Sequence, residues 1–289
     1  MPQPNLVWLA SYPKSGNTWF RAFLTALLGE SEDLDLNGLK TNGIFSSRQI
    51  FDAFTDLDST YLYDEEVKLL LPEVFTALSI EAEKTQYIKV HDAYTVNARE
   101  QPIIPSAVTR CALYIIRNPL DIAGSFANHM NSTIDHAIKL MNDPLGSLAT
   151  QKNNHNTNPQ LKQLMFNWSD HVKSWINQSA FPVHVIRYED MLNDPVNTFT
   201  SAIKYIGLDC SPDNITKAIE ATQFNKLQQK EKAAGFREKN HAANSFFRSG
   251  KSGNWINELT KQQAQSILDH HAEVMKQYGY DININEYYP

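Results

Sequence analysis

Cysteine is nearly absent. The chain of 289 residues has two, Cys111 and Cys210. Two cysteines so far apart build neither a disulfide framework nor a zinc site. Cys111 opens the apolar run Cys111–Ile116 and reads as a small buried hydrophobe. Long apolar runs are missing as well. No stretch nears the ~18–20 residues that span a bilayer, so no membrane span is expected. Met1 to Asn5 lack the charged and apolar regions of a signal peptide, and the expected location is cytoplasmic. Positive charge is the minority: Lys and Arg total 26 against 32 Asp and Glu, a net charge of −6. Nucleic-acid polymers are held by phosphate neutralisation, so this balance argues against such a partner. It leaves room for a local basic pocket that takes one anionic ligand.

What is present is a folded composition, 42% hydrophobic and 20% charged, with no repeat, low-complexity tract or linker. Leu6–Ala10 reads as a buried strand, and Asn17–Leu28 carries apolar residues at helical spacing. Gln86–His91, Cys111–Ile116 and Pro182–Ile186 read as further strands. Asp64–Ala82 predicts a helix broken at Pro72. Asn118–Met130 predicts one with Pro119 at its first position. Gln160–Asn177 predicts an amphipathic helix, and helices are expected near 195–206, 212–221 and 259–277. Leu36–Asp58 reads as a mobile surface segment and 143–159 as loop. Strands alternating with helices imply an α/β fold, a central parallel sheet flanked by helices. Ligands of such sheets bind at the carboxyl ends of the strands. That rim would hold Ser11–Thr18, Lys89–His91, Arg117–Ser125 and Arg187–Tyr188.

Ser11–Thr18 lies between the first strand and the first helix, where α/β proteins hold phosphates on backbone N–H groups and a helix start. Lys14 adds charge, Gly16 permits close approach, and Ser15, Asn17 and Thr18 add donors. This is not the Walker A pattern, because the lysine precedes the glycine.

Tyr12-Pro-Lys-Ser-Gly-Asn-Thr-Trp19 resembles the 5′-phosphosulfate loop, Y-P-K-S-G-T-T-W, of the cytosolic-type sulfotransferases. Three further segments resemble that family in the same order. Arg117-Asn-Pro-Leu-Asp-Ile-Ala-Gly-Ser125 is similar to its 3′-phosphate segment, R-N-x-x-D-x-x-x-S. Tyr188-Glu-Asp190 is similar to the segment whose tyrosine lies by the adenine. Phe247-Arg-Ser-Gly-Lys-Ser-Gly-Asn-Trp255 is similar to the late loop, F-x-R-K-G-x-x-G-D-W. In that loop Ser249 stands where lysine is usual and Asn254 where aspartate is usual, with Lys251 able to supply charge.

The resemblance implies a P-loop-like sulfotransferase fold and one domain over residues 1–289. It implies transfer of a sulfuryl group from 3′-phosphoadenosine 5′-phosphosulfate (PAPS) to a hydroxyl or amine of a small-molecule acceptor, leaving PAP, with no metal. By the same resemblance the cofactor lies against Lys14, Ser15, Gly16, Asn17, Thr18, Trp19, Arg117, Ser125, Tyr188, Thr222, Phe224, Arg248, Ser249 and Gly250. Trp19 and Phe224 would stack on adenine. Lys14 would stabilise the leaving group. Lys89 and His91 match the family's K-x-H, in which the lysine contacts the sulfuryl group and the histidine is the base. A histidine near its ordinary pKa of ~6.5 suits that work. Asp92 could act in its place or hold a substrate amine.

Leu36–Tyr63, the surroundings of Tyr94 and Met130–Asn158 are expected to line the acceptor pocket. Their aromatic residues, Phe45, Phe51, Phe54, Tyr61 and Tyr63, serve an apolar acceptor or the core equally well. His129, His136 and His155 read as surface or loop residues, and His270 and His271 as solvated. The family's late dimer segment is not intact: Lys261 follows Thr260 in place of valine. Oligomeric state is left open. A P-loop-type small-molecule kinase and a catalytically silent nucleotide-binding protein are the alternatives.

Overall fold

A computed structural model describes residues 3–29, 34–41, 43–150, 159–239 and 245–288. The elements run β1 (Leu6–Ser11), α1 (Asn17–Leu28), α2 (Arg48–Thr55), α3 (Asp64–Glu81), β2 (Gln86–Val90), β3 (Thr109–Ile116), α4 (Pro119–Met130), α5 (Ile134–Asn142), β4 (Ser147–Leu148), β5 (Gln163–Leu164), α6 (Trp168–Ile176), β6 (Val183–Arg187), α7 (Tyr188–Asn193), α8 (Pro195–Tyr205), α9 (Pro212–Ala221), α10 (Phe224–Ala234), α11 (Trp255–Glu258) and α12 (Lys261–Gln277). Four strands form one sheet in the order β2-β1-β3-β6, with β1 and β2 parallel. Helices join the strands, so the α/β class with a central parallel sheet holds. Among the described residues no helix is long and apolar enough to cross a membrane.

The chain parts into two units. One comprises residues 1–12, 41–114 and 144–185; the other comprises 13–40, 115–143 and 186–289. The first holds the body of the sheet. Leu6 to Ala10 are all fully buried, which explains the unbroken apolar run of β1. Trp8 meets Phe75 edge-on at 5.2 Å and donates its indole N–H to Thr109 Oγ1 at 2.9 Å. Phe45 stacks on Phe75 at 4.8 Å. Burial pushes the Cys111 thiol up to about 11, as a small core residue should show. In the second unit, Phe23 and Phe199 pack at 4.1 Å. A separate cluster of Leu34, Leu36, Leu39, Leu227, Phe236 and Phe247 carries Trp19, Phe224 and Phe246 at its margin.

Several elements depart from the sequence expectations. Leu36–Asp58 is not a bare surface segment: it contains α2, and Phe45 and Phe51 are core. Pro72 does not break α3. The carbonyl of Lys68, which loses its helical donor to the proline ring, lies 3.5 Å from Asn97 Nδ2. The helix expected from Gln160 begins only at Trp168. Phe166 takes a positive φ of 59° and Asn167 caps α6 by accepting from Asp170 N, so periodicity yields to the cap. His271 is buried rather than solvated. It donates to Asn142 Oδ1 at 3.1 Å, and burial pulls its pKa down to about 4. His136 is exposed as expected. His155, with the rest of 151–158, lies outside the described residues.

Candidate active site

The loop after β1 is shaped by two left-handed residues on either side of Ser15, Lys14 at φ 69° and Gly16 at φ 103°. Such alternation turns successive N–H groups toward one point, a concavity that suits an anion. Helix α1 starts on Gly16 with no side-chain cap and no acidic residue in its first turn. Its N-terminal dipole is thus left for a ligand. Ser15 is fully buried, and its Oγ has no partner in the protein. A buried hydroxyl without a partner is costly, so the place is built for one. Only glycine fits at Gly16, since a Cβ there would lie 2.6 Å from the Tyr188 ring. Asn17 and Thr18 are buried in the first turn.

Arg117 ties the motifs of the second unit together. Its guanidinium donates to the carbonyl of Lys14 at 2.9 Å and to that of Lys251 at 3.2 Å. It also lies 4.3 Å over the Tyr188 ring, while its buried Nε has no protein partner. Burial raises the Tyr188 hydroxyl above its ordinary pKa, although the Arg117 charge opposes this. Trp19 meets Tyr188 edge-on at 5.9 Å, and its buried Nε1 has no partner. Phe224 begins α10, and a Cβ built on Gly250 (φ 63°) would strike its ring. The late loop therefore lies on Phe224 by virtue of Gly250. Lys14 Nζ is 4.1 Å from the centre of the Phe246 ring. Ser125 and Ser249 are half-buried. Thr222 turns its hydroxyl back to the Ala218 carbonyl at 2.7 Å. Arg248 is engaged with Glu258.

Two carboxylates that the sequence reading passed over hold the late loop in place. Glu231 accepts from Phe246 N and Phe247 N at 2.6 and 2.9 Å, just before Arg248. Asp121 accepts from Gly253 N and Trp255 N at 2.7 and 3.0 Å, just after it. Asp121 is the aspartate of R-N-x-x-D, so a signal was present. Glu231 stands in no motif. A third, Glu189, accepts from Asn118 N at 3.1 Å and from the Tyr280 hydroxyl at 2.7 Å, joining the Arg117 and Tyr188 segments.

The first unit presents His91. Pairing of Ala10 with Val90 brings His91 beside Ser11, at the carboxyl ends of β1 and β2. His91 Nδ1 lies 2.8 Å from the Ser11 carbonyl and 3.3 Å from Ser11 Oγ. A ring nitrogen facing a carbonyl carries the hydrogen, which puts the neutral ring's lone pair on Nε2. The residue is pinned from behind. His171 Nε2 donates to the His91 carbonyl at 3.0 Å, and His171 Nδ1 accepts from the Tyr114 hydroxyl at 2.7 Å. Trp175 donates to the Asp92 carbonyl at 3.0 Å, and Ala93 N to the Leu164 carbonyl at 2.8 Å. His171 is fully buried, and burial holds its pKa down to about 4, so it is neutral at pH 7. Lys89, two residues before His91, is half-buried.

Asp92 is 6% exposed, and its Oδ2 has no partner. Burial pushes its pKa up to about 8. It lines a small cavity with Arg48, Ser59, Asp64, Lys68 and Lys162. Of the residues expected to line an acceptor pocket, Tyr61 and Tyr63 are exposed, and Tyr94 meets Phe181 edge-on at 5.6 Å. Among the described residues no group of three or more His, Cys, Asp or Glu is placed to hold a metal ion.

The helices and the parallel sheet define an α/β protein, and comparison with known proteins gives the family. Residues 4–279 match the sulfotransferase domain, and the chain belongs to that family of enzymes. Sulfotransferase 1E1 of Cavia porcellus is 25% identical over 95% of this chain and 84% of its own length. Flavonol 3-sulfotransferase of Flaveria bidentis is 24% identical over 91% of this chain and 80% of its own. A mouse sulfotransferase complexed with PAP shares the fold with a TM-score of 0.60 and 21% identity, covering 99% of this chain and 89% of that one. Retinol dehydratase in complex with androsterone and PAP does so with a TM-score of 0.59 and 17% identity, covering 98% and 83%.

Proposed function

We propose that this enzyme transfers a sulfuryl group from PAPS to a hydroxyl or amine of a small-molecule acceptor, with His91 as general base. The observation that carries the reading is the Arg117 bridge between the Lys14 and Lys251 loops, beside the partnerless Ser15 hydroxyl. The bound nucleotide supplies the sulfuryl group, and the chain supplies position and charge. Ser15, Gly16, Asn17 and Thr18 take the 5′-phosphate end at the start of α1. Lys14 offsets charge on the leaving oxygen. Arg117, Ser125, Arg248, Ser249 and Gly250 take the 3′-phosphate. Trp19, Tyr188, Thr222 and Phe224 face the adenine. Lys89 contacts the sulfuryl group.

His91 takes the acceptor's proton on Nε2, because Nδ1 is committed to the Ser11 carbonyl. Asp92 is a weaker candidate for that role. With its pKa raised to about 8 it holds its proton at neutral pH, and His91 does not line its cavity. The family match over residues 4–279 supports reading the whole chain as one sulfotransferase domain. We read the enzyme as cytoplasmic by the same resemblance. The androsterone held by retinol dehydratase supports a small organic acceptor.

The test is transfer from labelled PAPS to an acceptor panel. Lys14→Ala should lower kcat by roughly 100-fold or more, and a near-normal kcat would remove its assigned role. His91→Ala should lower kcat by ~10²–10⁴-fold with PAP affinity kept. A parallel loss of PAP affinity would overturn the base assignment. Magnesium-dependent phosphorylation from ATP, without sulfate transfer, would overturn the whole reading.

A further inference from the structure

Arg248, the arginine of the late loop, is held by a carboxylate of the chain itself. Its Nη1 lies 2.7 Å from Glu258 Oε1, and its Nη2 donates to Oε2 at 2.8 Å. This is the fork by which arginine grips a carboxylate or a phosphate. Asn254 Nδ2 donates to the same Oε1. Glu258 ends α11, whose first N–H is fixed by Asp121. The pair rests on α4: a methyl group built on Gly124 would overlap Glu258 Oε2 and lie 3.4 Å from Arg248 Nη2. Gly124 directly precedes Ser125. An internal anion thus occupies the arginine fork beside the segment read as the 3′-phosphate site.

We propose that Glu258 is a counter-anion that the nucleotide's 3′-phosphate must displace from Arg248. It thereby sets how strongly the enzyme distinguishes a 3′-phosphorylated nucleotide from one without that group. This rests on the reading that Arg117, Ser125 and Arg248 take the 3′-phosphate. Two anions in one guanidinium fork repel each other, so the gain from the phosphate is offset by the loss of the carboxylate. Ser249 stands where the family pattern has lysine, so Lys251 is the loop's other cation. At the other end of the nucleotide site, the first turn of α1 carries no acidic residue, so a 5′-phosphate meets no such competitor there.

The experiment is titration calorimetry with PAP and with AMP, which has the same adenine and 5′-phosphate but lacks the 3′-phosphate. Glu258→Gln should tighten PAP roughly three- to tenfold and move AMP less than about twofold, raising the ratio of the two affinities. Glu258→Ala, which also drops the contact to Asn254, should raise the same ratio. Arg248→Ala should lower it and should abolish the gain when combined with Glu258→Gln. A ratio unchanged or lowered by both Glu258 variants overturns the inference while the nucleotide reading stands. Failure of the folded, unaltered chain to bind PAP overturns both.

Discussion

The loop after β1 is shaped largely by backbone, whereas the surroundings of His91 are made of buried side chains. Around Lys14 the shaping groups are two left-handed residues, an uncapped helix start and carbonyls gripped by Arg117. Around His91 they are a neutral histidine, a tyrosine hydroxyl and a tryptophan N–H from distant parts of the sequence. A backbone cradle needs specific residues in consecutive positions, because φ and ψ are set locally. A side-chain brace needs only that the right atoms meet, wherever their residues stand in the chain. The first leaves a motif and the second leaves almost none.

The largest expected break in this contrast is Gly16→Ala. The substitution forces a β-carbon into left-handed backbone and against the Tyr188 ring. Strain of roughly 2 kcal/mol or more should fall on the loop, weakening PAP binding by about 30-fold or more. Unchanged PAP affinity by calorimetry would show that the cradle does not depend on its backbone form.

A smaller effect is expected at His171. His171→Leu removes the donor to the His91 carbonyl and the acceptor for the Tyr114 hydroxyl, costing about 1–3 kcal/mol of stability. The outcome expected is a kcat about tenfold lower with PAP affinity unmoved, and His171→Gln should recover part of the loss. Equal losses in both parameters would mean that the brace supports the fold in general rather than His91.

The mildest effect concerns pH. Asp92 keeps its proton in the folded chain up to about 8, far above an ordinary carboxylate. The folded state binds more protons there, so this contribution is full below pH ~4 and lost as pH rises through about 8. His171 and His271, lowered to about 4, have the opposite sign. Their stabilisation is present above pH ~6.5 and fades as pH falls toward 4. Above pH ~6.5 the Asp92 slope therefore stands alone among these three. Thermal unfolding should show Tm falling by a few degrees between about pH 6.5 and 8.5, and Asp92→Asn should flatten that fall. Parallel curves for the two proteins would place the slope elsewhere.

Much of the fold was legible because its strands and long helices carry their burial in a local pattern. The run Leu6–Ala10 and the helix Asn17–Leu28 needed no partner to be recognised. The exceptions are residues whose role depends on something distant in the chain. Pro72 passes through α3, and the carbonyl it leaves open lies near Asn97, 25 residues further on. Phe45 and Phe51, equally readable as pocket or core, are both core, Phe45 stacked on Phe75. His271 sits in a polar stretch yet is buried beside Asn142.

Local sequence carried the α/β class, the order of the four motifs, and the glycine on which the loop after β1 turns. These are properties of consecutive residues, encoded by glycine, by capping chemistry and by periodicity. Packing, in contrast, is what brings Arg117 to the Lys14 and Lys251 carbonyls. Packing likewise sets His171 and Tyr114 behind the His91 backbone and Glu258 in the fork of Arg248. Those pairings depend on side-chain atoms brought within about 3 Å by packing, a distance that no spacing along the chain records.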